Sequence, residues 1–302
     1  MQAVLGWIMS SRWRAVIGVW LMGAIQWLSL LGGGLVALVA LRQGPAEGAG
    51  VAFLAALGLI PFAIMLGAPP WVLPVAALSL WLPVLVMAWA LLRTASLARS
   101  FQLAALFGAM VVLALHSGDD TARQVGREMI DQWLMPFLEG REQGVPDEAA
   151  LDRLAMLVPG MMAAALTAAL IISLILGRWW QAILYNPGGF RAEFHELRHG
   201  QFAVLTGGVV FILAAVTTTV PLLDNLALVA ILVLMFQGLA VCHAFVHRRK
   251  LGGVWLVPVY GLLLPFTVPV MSVMAALAIL DNVLDLRGRY APAPQVSDGS
   301  DD

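Results

Sequence analysis

The residues with the plainest chemical potential stand in one word, His195-Glu196-Leu197-Arg198-His199. It matches H-E-x-x-H. On a continuous helix, residues four apart share a face, so two imidazoles could grip zinc while the glutamate serves as general base. A zinc enzyme also needs a third ligand and an open coordination position. No glutamate follows Glu196, which leaves Asp224, His243, His247, Asp281 and Asp285 as donors. Asp224 follows a full apolar run and is expected across the membrane. His243 and His247, one turn apart near the end of the next run, are expected back on the side of His199. Four of the five histidines would then share one face. Against a metal stand Arg191, Arg198, Arg248, Arg249 and Lys250, a positive field hostile to a divalent cation. A helix starting at Phe190 explains the word without zinc. It sets Phe190, Phe194 and Leu197 on one stripe and Arg191, His195 and His199 on another, the pattern of a helix lying in a membrane interface. The chain is therefore read as non-enzymatic and without a cofactor, with His195, His199, His243 and His247 the outside candidates for a metal.

Four other polar residues fall inside or at the edge of apolar runs: Gln26, His116, Gln237 and His243. Polar groups there are costly and usually face the bundle interior. They are candidates for lining a small-molecule pocket. The competing reading is helix–helix hydrogen bonding at about 1 kcal/mol per bond. Asp281 and Asp285 lie one turn apart at the C-terminal end of a helix, where the macrodipole disfavours negative charge. They need cationic partners, for which Arg287, Arg178 and Arg191 are available, and such pairing would staple the C-terminus to the segment 177–200. No nucleophilic triad, P-loop or dinucleotide fingerprint is present.

The elements that must position these residues are dictated by composition. Of 302 residues 61% are hydrophobic and 12% charged, with a mean hydropathy of +0.89. Soluble domains carry about 25% charged residues. A bilayer span needs about 20 apolar residues as helix, and backbone groups in lipid must pair internally. Continuous apolar runs, without period-two alternation, exclude a barrel and predict an all-α helical bundle embedded in the bilayer. Eight spans are expected, over 15–41, 51–66, 72–92, 101–116, 154–176, 202–220, 226–246 and 254–280. The start is read as an uncleaved first span. The last run carries Pro258, Pro265 and Pro269 and is expected to be two short segments or a broken helix. A net charge of −1 gives no nucleic-acid footprint, and the single Cys242 can form no intrachain disulfide.

One transmembrane domain is expected over 1–290, followed by a disordered acidic tail over 291–302. Residues 117–153 form an acidic extramembrane segment in which Val125, Met129, Trp133 and Phe137 recur every fourth position, predicting an amphipathic helix broken near Pro136. Residues 177–200 are expected to be a cytoplasmic loop. In it Trp179, Trp180 and Tyr185 form an aromatic belt, and Asn186-Pro187-Gly188-Gly189 a turn. The arginines at 93, 99, 178, 191 and 198 and the run 247–250 mark one side as cytoplasmic. Arg287 and Arg289 agree if the last run crosses twice. Arg12 and Arg14 do not agree if every span is a single crossing.

The stretches "GRWWQAILYNPGGFRAEFHELR" and "LDNVLDLRGR" resemble the two signature stretches of the YybS-like family of bacterial membrane proteins, over most of the chain. The residues that carry the resemblance are Arg178, Trp179, Trp180, Asn186, Pro187, Gly188, Gly189, Phe190 and Arg191, with Asp281, Asp285 and Arg287. The family pattern does not require His199, which implies that the zinc word is incidental. The resemblance further implies a distant similarity to the substrate-binding S-components of energy-coupling-factor transporters, which dock onto a membrane coupling subunit. The leading expectation is a multi-pass protein of a bacterial inner membrane that binds or transports a small molecule without its own ATPase. A membrane assembly or interaction factor, and a metal-dependent enzyme, are the alternatives.

Overall fold

The computed structural model describes residues 1–118, 120–138, 146–217 and 220–289, with the side chain of Gln26 excepted. The expected tail 291–302 lies outside the described residues. In chain order the helices are α1 (Gln2–Met9), α2 (Arg12–Ala24), α3 (Ser29–Gln43), α4 (Pro45–Met65), α5 (Val72–Thr94), α6 (Leu97–His116), α7 (Thr121–Met129), α8 (Met135–Leu138), α9 (Glu148–Tyr185), α10 (Gly189–His195), α11 (Gly200–Val216), α12 (Pro221–Arg248), α13 (Val257–Leu263), α14 (Thr267–Leu284) and α15 (Leu286–Arg289). No strand occurs among the described residues, so the protein is the expected all-α bundle. Six helices, α4, α5, α6, α9, α12 and α14, are long and apolar enough to cross a membrane. A seventh is counted if α10 and α11, bent by 57°, are one span. This is a multi-pass membrane protein, with fewer long spans than the eight expected.

Two of the eight expected runs account for the shortfall: 202–220 counts only as part of the bent pair α10–α11, and 15–41 supplies no long span, whereas 254–280 still supplies α14. The run 15–41 is not one crossing but a hairpin. Arg12 Nε meets Glu47 at the start of α4 at 3.0 Å, and Trp20 Nε1 donates to the Gly58 carbonyl at 2.8 Å, so α2 runs alongside α4 in the same direction. After a short 3-10 turn at Gln26–Leu28 the chain reverses. In α3, the Leu30 carbonyl accepts from Ser173 Oγ at 2.9 Å and the Leu41 carbonyl from Gln181 at 3.1 Å, so α3 returns alongside α9. The hairpin closes around the fully buried Trp81, against which Gly23 and Gly32 leave room.

The run 254–280, expected to be two short segments or a broken helix, is a second hairpin. Tyr260 of α13 bonds to His243, so α13 descends beside α12 from its C-terminal end. Gly238 packs on the Met274 backbone, while Arg248 donates to the Arg287 carbonyl. Residues advance in the same order along both helices, so α14 runs parallel to α12 and returns to the end at which α13 entered.

The remaining helices alternate. Asn225 Nδ2 donates to the Met156 carbonyl at 3.0 Å at one end of α12, and the middles of α9 and α12 stay together above it. All arginines outside 117–153, together with Lys250, consequently gather at one end of the bundle, Arg12 and Arg14 included. The opposite end carries the acidic segment. There α7 packs on α9 through Ala122, Gly126 and Ile130, and Arg127 pairs with Asp152 and Glu148. The expected stripe is thus displaced by one residue: Trp133 and Phe137 are exposed. The helix goes through a π-helical stretch at Ile130–Leu134, ahead of Pro136.

Candidate functional site

The basic end is built from the top of α9. This helix runs for 38 residues, about 57 Å, far past the expected end at 176. Residues 177–185 are therefore helix, not loop. Trp180 is buried against Gly34 in α3 instead of standing in an interfacial belt, while Trp179 is partly exposed. The chain then reverses at Asn186-Pro187-Gly188-Gly189. Gly189 N–H donates to the Asn186 carbonyl at 3.0 Å, and Gly188 has φ 87°, ψ −16°. That is a type II turn, with proline and glycine where its backbone requires them. Arg178, almost buried, grips Glu193 with two nitrogens, one of them at 2.9 Å. This bidentate pair holds α10 down on α9.

The zinc word is broken by this geometry. The helix α10 stops at His195, and residues 196–199 pass into the bundle in non-helical conformation. His199 is 5% exposed and faces away from the other histidines. Its N–H donates to Gln237 Oε1 at 2.9 Å, its ring Nε2 to the Val233 carbonyl at 3.1 Å, and its carbonyl accepts from Gln102 at 2.6 Å. His195 instead lies near His247 and His243, with ring centroids 5.1 and 6.4 Å apart. Three histidines converge, not four. Among the described residues no group of three His, Cys, Asp or Glu side chains is arranged to hold a metal ion.

The segment 195–199 is fixed by the other signature stretch. Asp281 is fully buried and accepts from Arg287 at 2.7 and 3.1 Å, with Arg198 Nε at 3.5 Å and Gln237 Nε2 at 3.4 Å. Arg287 in turn donates to the carbonyls of His195, at 2.5 Å, and Leu197, at 2.9 Å. A buried charge pair persists only when its remaining hydrogen-bonding capacity is met, and the unwound backbone of 195–197 meets it here. The expected staple therefore exists, with Arg287 on Asp281 as expected, while its ion pairs to the segment 177–200 are made by Arg198 in place of Arg178 or Arg191. Asp285 pairs with Arg198, because Arg178 is taken by Glu193 and Arg191 points elsewhere.

Beside this knot a cleft of about 840 Å³ opens between α9, α10, α12 and α13, with Gln2 of α1 also on its lining. Ile172, Met235, Phe236 and Leu239 line its depth; Arg191, His195, His243 and Tyr260 line its mouth. His243 Nε2 shares a hydrogen bond of 2.8 Å with Tyr260, and Phe194 packs edge-on against the same imidazole. Comparison with family models, with characterised proteins and with solved structures finds no match to this chain.

Of the four polar residues singled out in the apolar runs, only His243 reaches the cleft among the described side chains. Gln237 is buried in the knot. His116, at the acidic end, donates from Nδ1 to the Val112 carbonyl at 2.9 Å and stands 3.3 Å from Asn225. The Gln26 side chain lies outside the described residues. Sequence reasoning missed Tyr260, whose signal was a tyrosine two residues after Pro258 in the run expected to be broken. It placed Arg191 and His195 on one stripe correctly, without the cavity they overlook.

Proposed function

We propose that the protein is a binding protein of a bacterial inner membrane, holding a small amphiphilic molecule in the cleft at its cytoplasmic, basic end. The observation that carries this reading is the mixed lining of the cleft: apolar side chains of α9 and α12 along its walls, with Arg191, His195, His243 and Tyr260 grouped toward the basic end and Gln2 of α1 also bordering it. Its volume falls within the range of about 300–1,000 Å³ usual for small-molecule sites. The resemblance to the YybS-like family, and through it to S-components, points the same way, as does the absence of a P-loop from the sequence. In that reading the basic end is also where a membrane coupling subunit would dock.

Native mass spectrometry of protein released from mild detergent tests the proposal. An adduct of organic mass is expected, lost in Leu239→Trp, which fills the cleft wall while leaving the knot at Asp281 intact. A bare polypeptide mass, with no organic compound raising the unfolding temperature, would end the binding reading and favour a non-enzymatic assembly role.

A further inference from the structure

Resting on that reading, we infer that the cleft selects an anionic amphiphile: a phosphate or carboxylate head at Arg191, His195, His243 and Tyr260, with a single alkyl or prenyl chain between α9 and α12. The first argument is charge. Near the cleft, Glu193 is engaged by Arg178, and Asp281 and Asp285 by Arg198 and Arg287, while Glu196 is exposed and stands outside the cavity lining. Arg191 has no hydrogen bond or ion pair among the described residues, yet it borders the cavity. No carboxylate is among the lining residues, so nothing there repels an anion. Arg191 lines the same cavity as His195, His243 and Tyr260, and a guanidinium offers donors in a fork suited to a phosphate or carboxylate.

The second argument is length. The apolar wall follows α9 from Ile172 to Ile183, about 16 Å at the helical rise, enough for a single chain and deeper than a head group alone requires. Because the walls along α9 and α12 are apolar, a molecule polar along its whole length would leave buried groups unpaired. Because the mouth is cationic, a neutral chain would leave Arg191 unused. Only a molecule with both parts matches both halves.

The test separates the parts. Hexadecyl phosphate, hexadecanol and inorganic phosphate are titrated into the full-length protein in a neutral glycoside detergent, following thermal unfolding and native mass. The alkyl phosphate is expected to bind roughly tenfold more tightly than the alcohol, the gain of one charge-assisted contact, and inorganic phosphate to produce no shift at the same concentration. Arg191→Gln, an exposed change that leaves the knot intact, should bring the two alkyl compounds within about threefold of each other. Leu239→Trp should abolish both. Equal binding of phosphate and alcohol, an unchanged preference in Arg191→Gln, or a preference that survives Leu239→Trp would overturn the anionic inference while leaving a bound chain in place. A response to inorganic phosphate equal to that of hexadecyl phosphate would show a head-group site without a chain and overturn it too. If neither alkyl compound binds the wild-type protein, the binding reading fails with it.

Discussion

At the scale of single residues, stability at the basic end depends on Asp281. The carboxylate has no exposure, and its charge is balanced by Arg287 and Arg198. Removing one member of a buried pair leaves the other uncompensated, at a cost of about 3–5 kcal/mol. Asp281→Asn should therefore lower the unfolding temperature markedly in detergent. Asp281→Leu combined with Arg287→Met, which removes both charges, should recover part of the loss. Asp285 behaves differently because it is exposed and pairs only with Arg198. The guanidinium bond from Arg198 holds its carboxyl below the ordinary carboxylate range. A carboxyl depressed in the folded state stabilises above its unfolded pKa, about 3.9, and loses that contribution as pH falls through the folded value. The difference in unfolding temperature between wild type and Asp285→Asn should be small, constant above about pH 5, and shrink toward zero in acid. A difference that grows on acidification would contradict this pairing.

At the scale of elements, the two hairpins are set by small residues at close approaches. A Cβ at Gly238 would collide with the Met274 carbonyl, so α14 can lie against α12 only with glycine there. Gly238→Val should force the helices apart, cost about 1–3 kcal/mol as overpacking does, and make the α13–α14 hairpin the first segment cut by protease. An unchanged cleavage pattern would show that the contact does not hold the hairpin. These approaches also mark where sequence reading stopped. Helicity and membrane insertion were legible because lipid permits few backbone solutions. A break in the second run was foreseen because three prolines interrupt it, though its reversal into a hairpin was one of two alternatives left open. The first hairpin was not foreseen, because Gln26-Trp27-Leu28 breaks an apolar run without a proline or a charge, and hydropathy carries no information about direction. The zinc word fails for a related reason. Its chemistry presumes an unbroken helix through His199, but the buried Arg287 claims the carbonyls of His195 and Leu197, a demand made by residues 90 positions away. The cleft was legible only in fragments, since Arg191, His243 and Tyr260 come from three elements that the hairpin brings together.

At the scale of the whole molecule, the hairpins resolve an otherwise inconsistent charge pattern. If 15–41 crossed once, Arg12 and Arg14 would lie opposite Arg42, Arg93 and Arg99, against the tendency of basic residues to stay on the cytoplasmic side. With both hairpins entering and leaving at one end, every arginine outside 117–153 shares a side with Lys250, and the acidic segment faces the other. This arrangement can be checked in intact cells. In a Cys242→Ser background, a membrane-impermeant maleimide is applied from outside to single cysteines at Ser10, Gln43, Gly252 and Arg289, which flank the two hairpins, and at Ser117 near the acidic end. The expected result is labelling at Ser117 alone until the membrane is permeabilised, after which the other four react. Labelling of Ser10 and Gln43 from opposite sides would restore a single crossing for the first run and undo the first hairpin. The same outcome at Gly252 and Arg289 would undo the second, and with it the wall that α13 contributes to the cleft.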